Sequence, residues 1–143
     1  MKNIALFLFV MCAGLACRKT EVVSEPSQII ISNSWKLDRF TDVDGKTLSQ
    51  NQLNSQAQAL FGLDFEFRGD NVTRARDRIS KQILNGGTWY LADANQNLDI
   101  DINGFKGKFK VIQLVKGKMI LQAENNKMIS AGEFVKMEFI PAL

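Results

Sequence analysis

Residues 88–115 read TWYLADANQNLDIDINGFKGKFKVIQLV, and this stretch decides the fold. Leu98, Ile100 and Ile102 are apolar, and the residues between them are polar. Such alternation places successive side chains on opposite faces of a β-strand. Clusters of Asp, Asn and Gly interrupt the stretch, and they are typical of turns between antiparallel neighbours. The stretch therefore predicts three consecutive antiparallel strands.

The third of these strands has a break in its pattern. Val111 and Ile112 are adjacent apolar residues in a segment that otherwise alternates. A change of phase of this kind indicates a β-bulge, where one strand carries an extra residue.

The same alternation continues on both sides of this stretch. It predicts one strand with Trp35, Leu37 and Arg39 on a common face, and a polar strand over residues 72–77. Further apolar faces are Leu63, Phe65 and Phe67; Trp89 and Leu91; Met119, Leu121 and Ala123; and Val135, Met137 and Phe139. The total is about eight strands, mostly joined by short hairpins, and closure into an antiparallel barrel would hide both sheet edges.

One segment departs from the strand pattern. Residues 49–61 place Leu53, Ala57, Leu60 and Phe61 on one helical stripe, and Gly62 is a stop signal. We expect a short helix between the first two strands, covering one end or one face of the barrel.

The N-terminus has the pattern of a secretory signal. Lys2 precedes an apolar run that is shorter than the roughly 20 residues of a membrane helix. The run Leu15-Ala16-Cys17 resembles a bacterial lipobox, which implies cleavage before Cys17 and acylation of its thiol. The alternative is that Cys17 is a spare thiol near an ordinary cleavage site.

These features predict three segments: a signal peptide over 1–16, a polar tether containing Pro26 over 17–30, and one domain over 31–143. We expect export and attachment by lipid to the cell envelope, at the outer membrane. Cys12 would leave with the signal peptide, so the mature domain would have no free thiol.

Composition argues against several functions. The net charge of +3 is small, and basic residues alternate with acidic ones, which disfavours nucleic-acid binding. The sequence has no histidine, the commonest general base and a common zinc ligand. We therefore expect no cofactor, no metal and no enzymatic activity.

Several short motifs together resemble the lipocalin-like lipoproteins of Bacteroidetes. They are WKL at 35–37, FEF at 65–67, GTWYL at 87–91, LDIDI at 98–102, FKVIQL at 109–114, MILQ at 119–122 and FVKMEF at 134–139. The resemblance covers about residues 34–140. It implies a lipocalin-like barrel and transfers a fold more securely than a function.

Eleven apolar residues are predicted to face the barrel interior. Eight-stranded barrels either fill this space with side chains or hold one small ligand there, and the pattern leaves both open. The candidate ligand-binding set is Trp35, Phe65, Phe67, Trp89, Leu98, Ile100, Leu114, Met119, Leu121, Met137 and Phe139.

Two polar patterns have a functional and a structural interpretation. Arg74, Arg76 and Arg78 would project from one strand face, either to contact an anionic headgroup or as a solvated outer surface. Asp93, Asn95, Asn97 and Asp99 match the opening spacing of a calcium loop. However, Leu98 occupies the place of the sharp-turn glycine, so a polar hairpin turn is favoured.

A third pattern is a pair of carboxylates on one strand. Asp99 and Asp101 would share an outer, solvated face.

The sequence thus predicts a non-catalytic envelope lipoprotein whose barrel binds a small hydrophobic or amphipathic ligand. The alternative is a structural module that presents its loops and arginines to another envelope protein.

Overall fold

A computed structural model describes residues 25–124 and 134–143. The predicted signal peptide, Cys17 and the first part of the tether lie outside these residues. Within the described residues, two α-helices, two 3₁₀ turns and eight strands follow one another. They are α1 Glu25–Ile31, β1 Ser34–Thr41, the 3₁₀ turn Gln50–Gln52, α2 Ser55–Ala59, the 3₁₀ turn Leu60–Gly62, β2 Leu63–Phe67, β3 Val72–Asp77, β4 Ile83–Ala92, β5 Asn97–Ile102, β6 Phe105–Val115, β7 Lys118–Glu124 and β8 Phe134–Pro141.

The strands form a closed antiparallel barrel in which neighbours in the chain are neighbours in the sheet. β8 pairs with β1, with Leu37 opposite Phe139, and this pairing closes the cylinder. Closure gives every strand two partners, so neither sheet edge remains exposed. The predicted eight-stranded, lipocalin-like barrel is confirmed.

The interior is filled along much of its length. Ten of the eleven predicted interior residues are at most 3% exposed, and Leu114 is partly buried against the same core. The ring of Phe65 lies 5.2 Å from that of Phe105, measured between centroids, and Phe105 stacks on Phe109 at 5.1 Å. These aromatic contacts occupy the space in which a central ligand would otherwise lie.

The N-terminal boundary of the folded domain differs from the prediction. The sequence predicts residues 25–30 as part of the tether, but they belong to α1, and Ile30 is fully buried. The carbonyl oxygen of Ile30 accepts a hydrogen bond from Trp35 Nε1 at 2.8 Å. Pro26 is compatible with this helix because the first turn needs no amide donor there. The apolar Ile29 to Ile31 run therefore covers one end of the barrel.

Three bulges change which side chains face inward. The predicted bulge in β6 is confirmed, since the register with β7 shifts between Val111 and Gln113. A second shift, between Leu37 and Arg39, ends the predicted alternation of β1. Arg39 consequently faces outward, and the neighbouring Phe40 is 1% exposed. The third bulge, between β3 and β4, is described with the candidate site.

The segment between β1 and β2 is helical, as predicted, but in three short pieces rather than one. Asn54 caps α2, because its side-chain oxygen accepts a hydrogen bond from the Ala57 amide at 2.9 Å. The predicted stripe of Leu53, Ala57 and Leu60 is buried, and Phe61 packs against the core. Neither α-helix in the described residues is long and apolar enough to cross a membrane.

Gly87 lies where β4 approaches β5 closely. A Cβ atom at this position would stand 1.8 Å from the carbonyl oxygen of Asp101, whereas one at Gly86 would meet only ordinary contacts. We expect Gly87→Ala to lower the free energy of unfolding by roughly 3 kcal/mol, the upper end for overpacked sites. Gly86→Ala is the matched control and should change it far less in chemical denaturation. Equal effects of the two substitutions would contradict the close approach.

The closing seam carries a three-strand ion cluster. Glu138 on β8, with a side chain 9% exposed, lies 2.9 Å from Arg39 on β1 and 2.8 Å from Lys118 on β7. Burial alone would raise the pKa of Glu138, but hydrogen bonds and charge attraction from Lys118 and Arg39 outweigh it. The pKa is therefore below its ordinary value of 4.5.

This cluster predicts a pH dependence of stability. A carboxylate whose pKa is lowered by folding stabilises the native state above its unfolded pKa and loses that contribution as pH falls towards the folded pKa. We expect Glu138→Gln to be less stable than wild type at pH 7, with a difference that shrinks below about pH 4.5. Urea denaturation at pH 7 and pH 3.5 measures this. A pH-independent difference would show that the ionised cluster does not stabilise the seam.

Candidate functional site at the open end of the barrel

The two ends of the barrel are built differently. α1 covers the end at which β1 begins, which we call the closed end. The other end, which we call the open end, carries the long connection between β1 and β2, the β3–β4 turn and the β5–β6 turn. The open end contains a pocket of about 390 Å³, here called the mouth pocket. Its lining comprises Gln56, Ala59, Leu60, Gly62, Leu63, Phe65, Ala75, Asp77, Leu84, Asn85, Ile102, Asn103, Gly104 and Phe105.

The floor of the mouth pocket is apolar. Phe65 and Phe105 lie beneath it as a tilted ring pair. Ala75 stands directly across the β2–β3 ladder from Phe65, and its small side chain leaves space above the rings. A larger residue at this position would occupy the volume that the pocket keeps free.

The rim is polar. Gln56 Nε2 donates to the carbonyl oxygen of Gly104 at 2.8 Å, which joins α2 to the β5–β6 turn. Asn85 Nδ2 lies 3.4 Å from the carbonyl oxygen of Asn103. With the side chain of Asn103, these residues give the rim three amide groups, each with donor and acceptor atoms.

Asp77 adds a carboxylate to the rim. Its Oδ1 accepts hydrogen bonds from the Ser80 amide at 2.7 Å, the Ser80 hydroxyl at 2.9 Å and the Ile79 amide at 3.1 Å. These bonds, above all that from the Ser80 amide, hold the pKa of Asp77 below its ordinary value. The carboxylate is thus ionised at neutral pH and fixes the shape of the β3–β4 turn.

A bulge brings Leu84 to the pocket. Arg76 pairs with Ile83 and Ala75 with Asn85, so Leu84 is the extra residue of β4. Bulges re-aim side chains, and this one places a half-exposed leucine between the rim and the floor.

The β3–β4 turn is anchored to the start of β2. The Asp64 carboxylate, whose side chain is 5% exposed, contacts Arg78 at 3.2 Å and Lys81 at 2.9 Å. The Arg78 amide also donates to the carbonyl oxygen of Gly62 at 2.8 Å. These contacts hold one wall of the mouth pocket in place without a ligand.

The predicted interior residues and the mouth pocket overlap little. Of the eleven, only Phe65 lines the mouth pocket, and the others pack deeper in the barrel. Phe67 and Trp89 lie near the closed end, where Trp89 Nε1 donates to the carbonyl oxygen of Arg68 at 2.8 Å. Ligand contact by these deeper residues stays a prediction.

The arginine stripe faces outward, opposite carboxylates on β2. Arg76 forms an ion pair with Glu66, and Arg78 forms one with Asp64. Arg74 forms no ion pair among the described residues. An anionic headgroup would compete with these carboxylates at Arg76 and Arg78 but not at Arg74. Carboxylates two residues apart on the preceding strand were the sequence signal for this pairing.

The turn at residues 93–96 has the polar hairpin structure that its sequence favours. Asp93, Ala94 and Asn95 all have positive φ angles, and Asp93 accepts hydrogen bonds from Asn97 and Lys108.

The carboxylate of Asp101 is exposed on the outer face of the barrel and pairs with Lys106 at 2.7 Å. Over residues 25–124 and 134–143, no three His, Cys, Asp or Glu side chains are placed to hold a metal ion.

Sequence reasoning did not find the rim of the mouth pocket. Gln56 lies in α2, Asn85 near the start of β4 and Asn103 in the β5–β6 turn, and they meet only because the barrel closes. Their positions next to predicted turns were the only signal in the sequence.

The topology defines the class of this protein: an eight-stranded, up-and-down antiparallel barrel of lipocalin-like type. A DUF4847 family protein from Bacteroides vulgatus has a similar structure, with a TM-score of 0.50 at 12% identity, over 80% of this chain and 95% of that one. A lipocalin-like protein from Bacteroides uniformis gives a TM-score of 0.48 at 14% identity, over 78% and 97%. No protein-family model and no curated protein matches the chain. At 12% identity, the similarity to the Bacteroides vulgatus protein shows the fold alone.

Proposed function

We propose that this chain is an exported lipoprotein whose barrel binds one small hydrophobic or amphipathic ligand in the mouth pocket. The observation that carries the proposal is the arrangement of an aromatic floor beneath an amide rim. A volume of about 390 Å³ lies within the range of small-molecule sites, roughly 300–1,000 Å³. The apolar body of a ligand would contact Phe65 and Phe105, and its polar group would meet the rim.

We further propose that binding is not followed by catalysis. Asp77 is the one titratable side chain among the described residues of the lining. A general acid or base works best with a pKa near the operating pH, whereas the pKa of Asp77 is lowered by hydrogen bonds within its own turn. The Oδ1 atom of Asp77 accepts hydrogen bonds from the Ile79 and Ser80 amides, so we assign this side chain a structural role.

Filling the pocket from its exposed side tests the ligand proposal. Ala59 is exposed on α2 and lines the mouth pocket, so Ala59→Trp should occupy the pocket without disturbing the core. We expect at least about a tenfold loss of affinity for N-phenyl-1-naphthylamine, since a displaced aromatic ring loses roughly 1.5–3 kcal/mol of burial. The fluorescence emission of N-phenyl-1-naphthylamine measures its binding to each variant.

Ser55→Trp is the matched control, because Ser55 is exposed on the same helix and does not line the pocket. The affinity of the Ser55→Trp variant for N-phenyl-1-naphthylamine should equal that of wild type. Equal affinities of the two variants would exclude the mouth pocket as the binding site and favour the interaction-module alternative.

The lipoprotein proposal is supported by the apolar N-terminal run and the Leu15-Ala16-Cys17 sequence. We expect full-length wild type expressed in a bacterial host to incorporate radiolabelled palmitate and to fractionate with membranes, because acyl chains partition into the bilayer. Cys17→Ser should abolish the label. Cys12→Ser is the matched control and should keep it, and a label that survives Cys17→Ser would refute acylation at this residue.

A further inference from the structure

Asp77 lies on the inner side of the barrel, at the mouth pocket. β3 buries Thr73 and Ala75, and the alternation of the strand puts Asp77 on the same inner face. Asp77 is the last residue of β3 and stands about 7 Å beyond Ala75, towards the open end. Both residues line the mouth pocket. A carboxylate therefore stands above the space that Ala75 leaves over the aromatic floor.

The β3–β4 turn uses one of the two carboxylate oxygens of Asp77. The hydrogen bonds from Ile79 and Ser80 all end on Oδ1. Among the described residues, no hydrogen bond is donated to Oδ2, and the side chain is only partly buried. The structural role of Oδ1 thus leaves Oδ2 as a negatively charged acceptor at the wall of the pocket.

The cations nearest to Asp77 in the chain are held elsewhere. Arg78 and Lys81 both bind the Asp64 carboxylate, at 3.2 Å and 2.9 Å, and neither lines the mouth pocket. Lys81 also attracts Asp77, but less strongly than the hydrogen bonds of the turn do. The charges of the whole turn are balanced, whereas the lining of the pocket carries the negative charge of Asp77 alone.

The amides of the rim add further acceptors. Gln56 and Asn85 each donate one N–H to a backbone carbonyl, of Gly104 and Asn103 respectively. Their side-chain oxygens accept no hydrogen bond from the described residues. With Asp77 Oδ2, these oxygens suit a ligand group that donates hydrogen bonds, such as a hydroxyl or an ammonium group.

A negatively charged ligand group is disfavoured at the same place. A carboxylate could accept hydrogen bonds from the remaining amide N–H groups, but it would lie beside Asp77 with no cation in the lining. Two like charges about 7 Å apart near a protein surface repel each other enough to weaken binding more than about tenfold. Removal of the ligand's charge from water without a counter-ion adds to this cost.

We propose that Asp77 determines the ligand specificity of the mouth pocket. The pocket binds an amphiphile whose polar group donates hydrogen bonds, an alcohol or an amine, and discriminates against a carboxylate with the same apolar chain. This inference rests on the proposed function, because it names the ligand class of the same pocket. The apolar chain lies on Phe65 and Phe105, and the polar group lies at Asp77.

Three amphiphiles with one apolar chain test this specificity: octan-1-ol, octylamine and octanoate. At neutral pH the amine is cationic and the carboxylate is anionic. Displacement of N-phenyl-1-naphthylamine measures the affinity of each for the protein. We expect wild type to bind octan-1-ol and octylamine at least about tenfold more tightly than octanoate.

Asp77→Asn separates the charge of this side chain from its role in the turn, because asparagine keeps an acceptor oxygen. We expect octanoate to bind about tenfold more tightly to this variant, octylamine to bind more weakly by a similar factor, and octan-1-ol to change less than about twofold. Opposite shifts of the two charged ligands cannot come from a damaged fold, which would weaken the binding of all three.

Asp44→Asn is the matched control, because Asp44 is an exposed carboxylate in the β1–β2 connection and does not line the pocket. It should leave all three affinities unchanged. Unaltered or parallel affinities of octanoate and octylamine in Asp77→Asn, or equal effects of the two substitutions, would overturn specificity by Asp77. If no amphiphile displaces the probe, or if Ala59→Trp leaves probe binding intact, the proposed ligand site itself fails. The two failures are therefore distinguishable.

Discussion

Pairing of the first strand with the last is the constraint on which the rest of the structure depends. It joins Arg39 to Glu138, which are 99 positions apart in the chain, and it removes both edges of the sheet in one step. Until this seam forms, β1 and β8 each carry a row of backbone donors and acceptors that are paired with no other strand, and their apolar faces share no common interior. The ion cluster around Glu138 crosses this seam on the outside, while Leu37 and Phe139 meet within it.

A closed cylinder still has two ends, and this chain treats them differently. At the closed end, Ile30 enters the core, and the indole groups of Trp35 and Trp89 donate to the backbone carbonyls of Ile30 and Arg68. Both tryptophans thus satisfy their polar atom while burying their rings. At the open end, α2 covers the barrel only partly, and amides line the space that remains. The two ends differ because the short helix α1 covers the closed end, whereas the long connection between β1 and β2 covers the open end only partly.

The sequence predicted what depends on local periodicity. Alternation identified the strands and the interior residues, and the adjacent Val111 and Ile112 identified a bulge. Alternation could not identify the bulge after Leu37, because Arg39 stands at the position where the alternation continues. Phe40 faces inward only because the register with β8 shifts between Leu37 and Arg39. The helix α1 was missed for a related reason: a short polar segment ending in isoleucines becomes helical by covering the barrel end, and isolated helices of this length are not stable.

The location of the mouth pocket follows from where the aromatic side chains end. Gly107 separates Phe105 from Phe109 on the inner face of β6, and the ring of Phe109 lies over the position that a Cβ atom would take, at 3.2 Å. This allows the two rings to stack and to fill the barrel beneath the pocket. Above them, Ala75 contributes too little volume to continue the filling. The mouth pocket therefore begins where large side chains give way to Ala75 and to polar side chains. The strands form its floor, whereas α2, the start of β4 and the β5–β6 turn supply its polar rim.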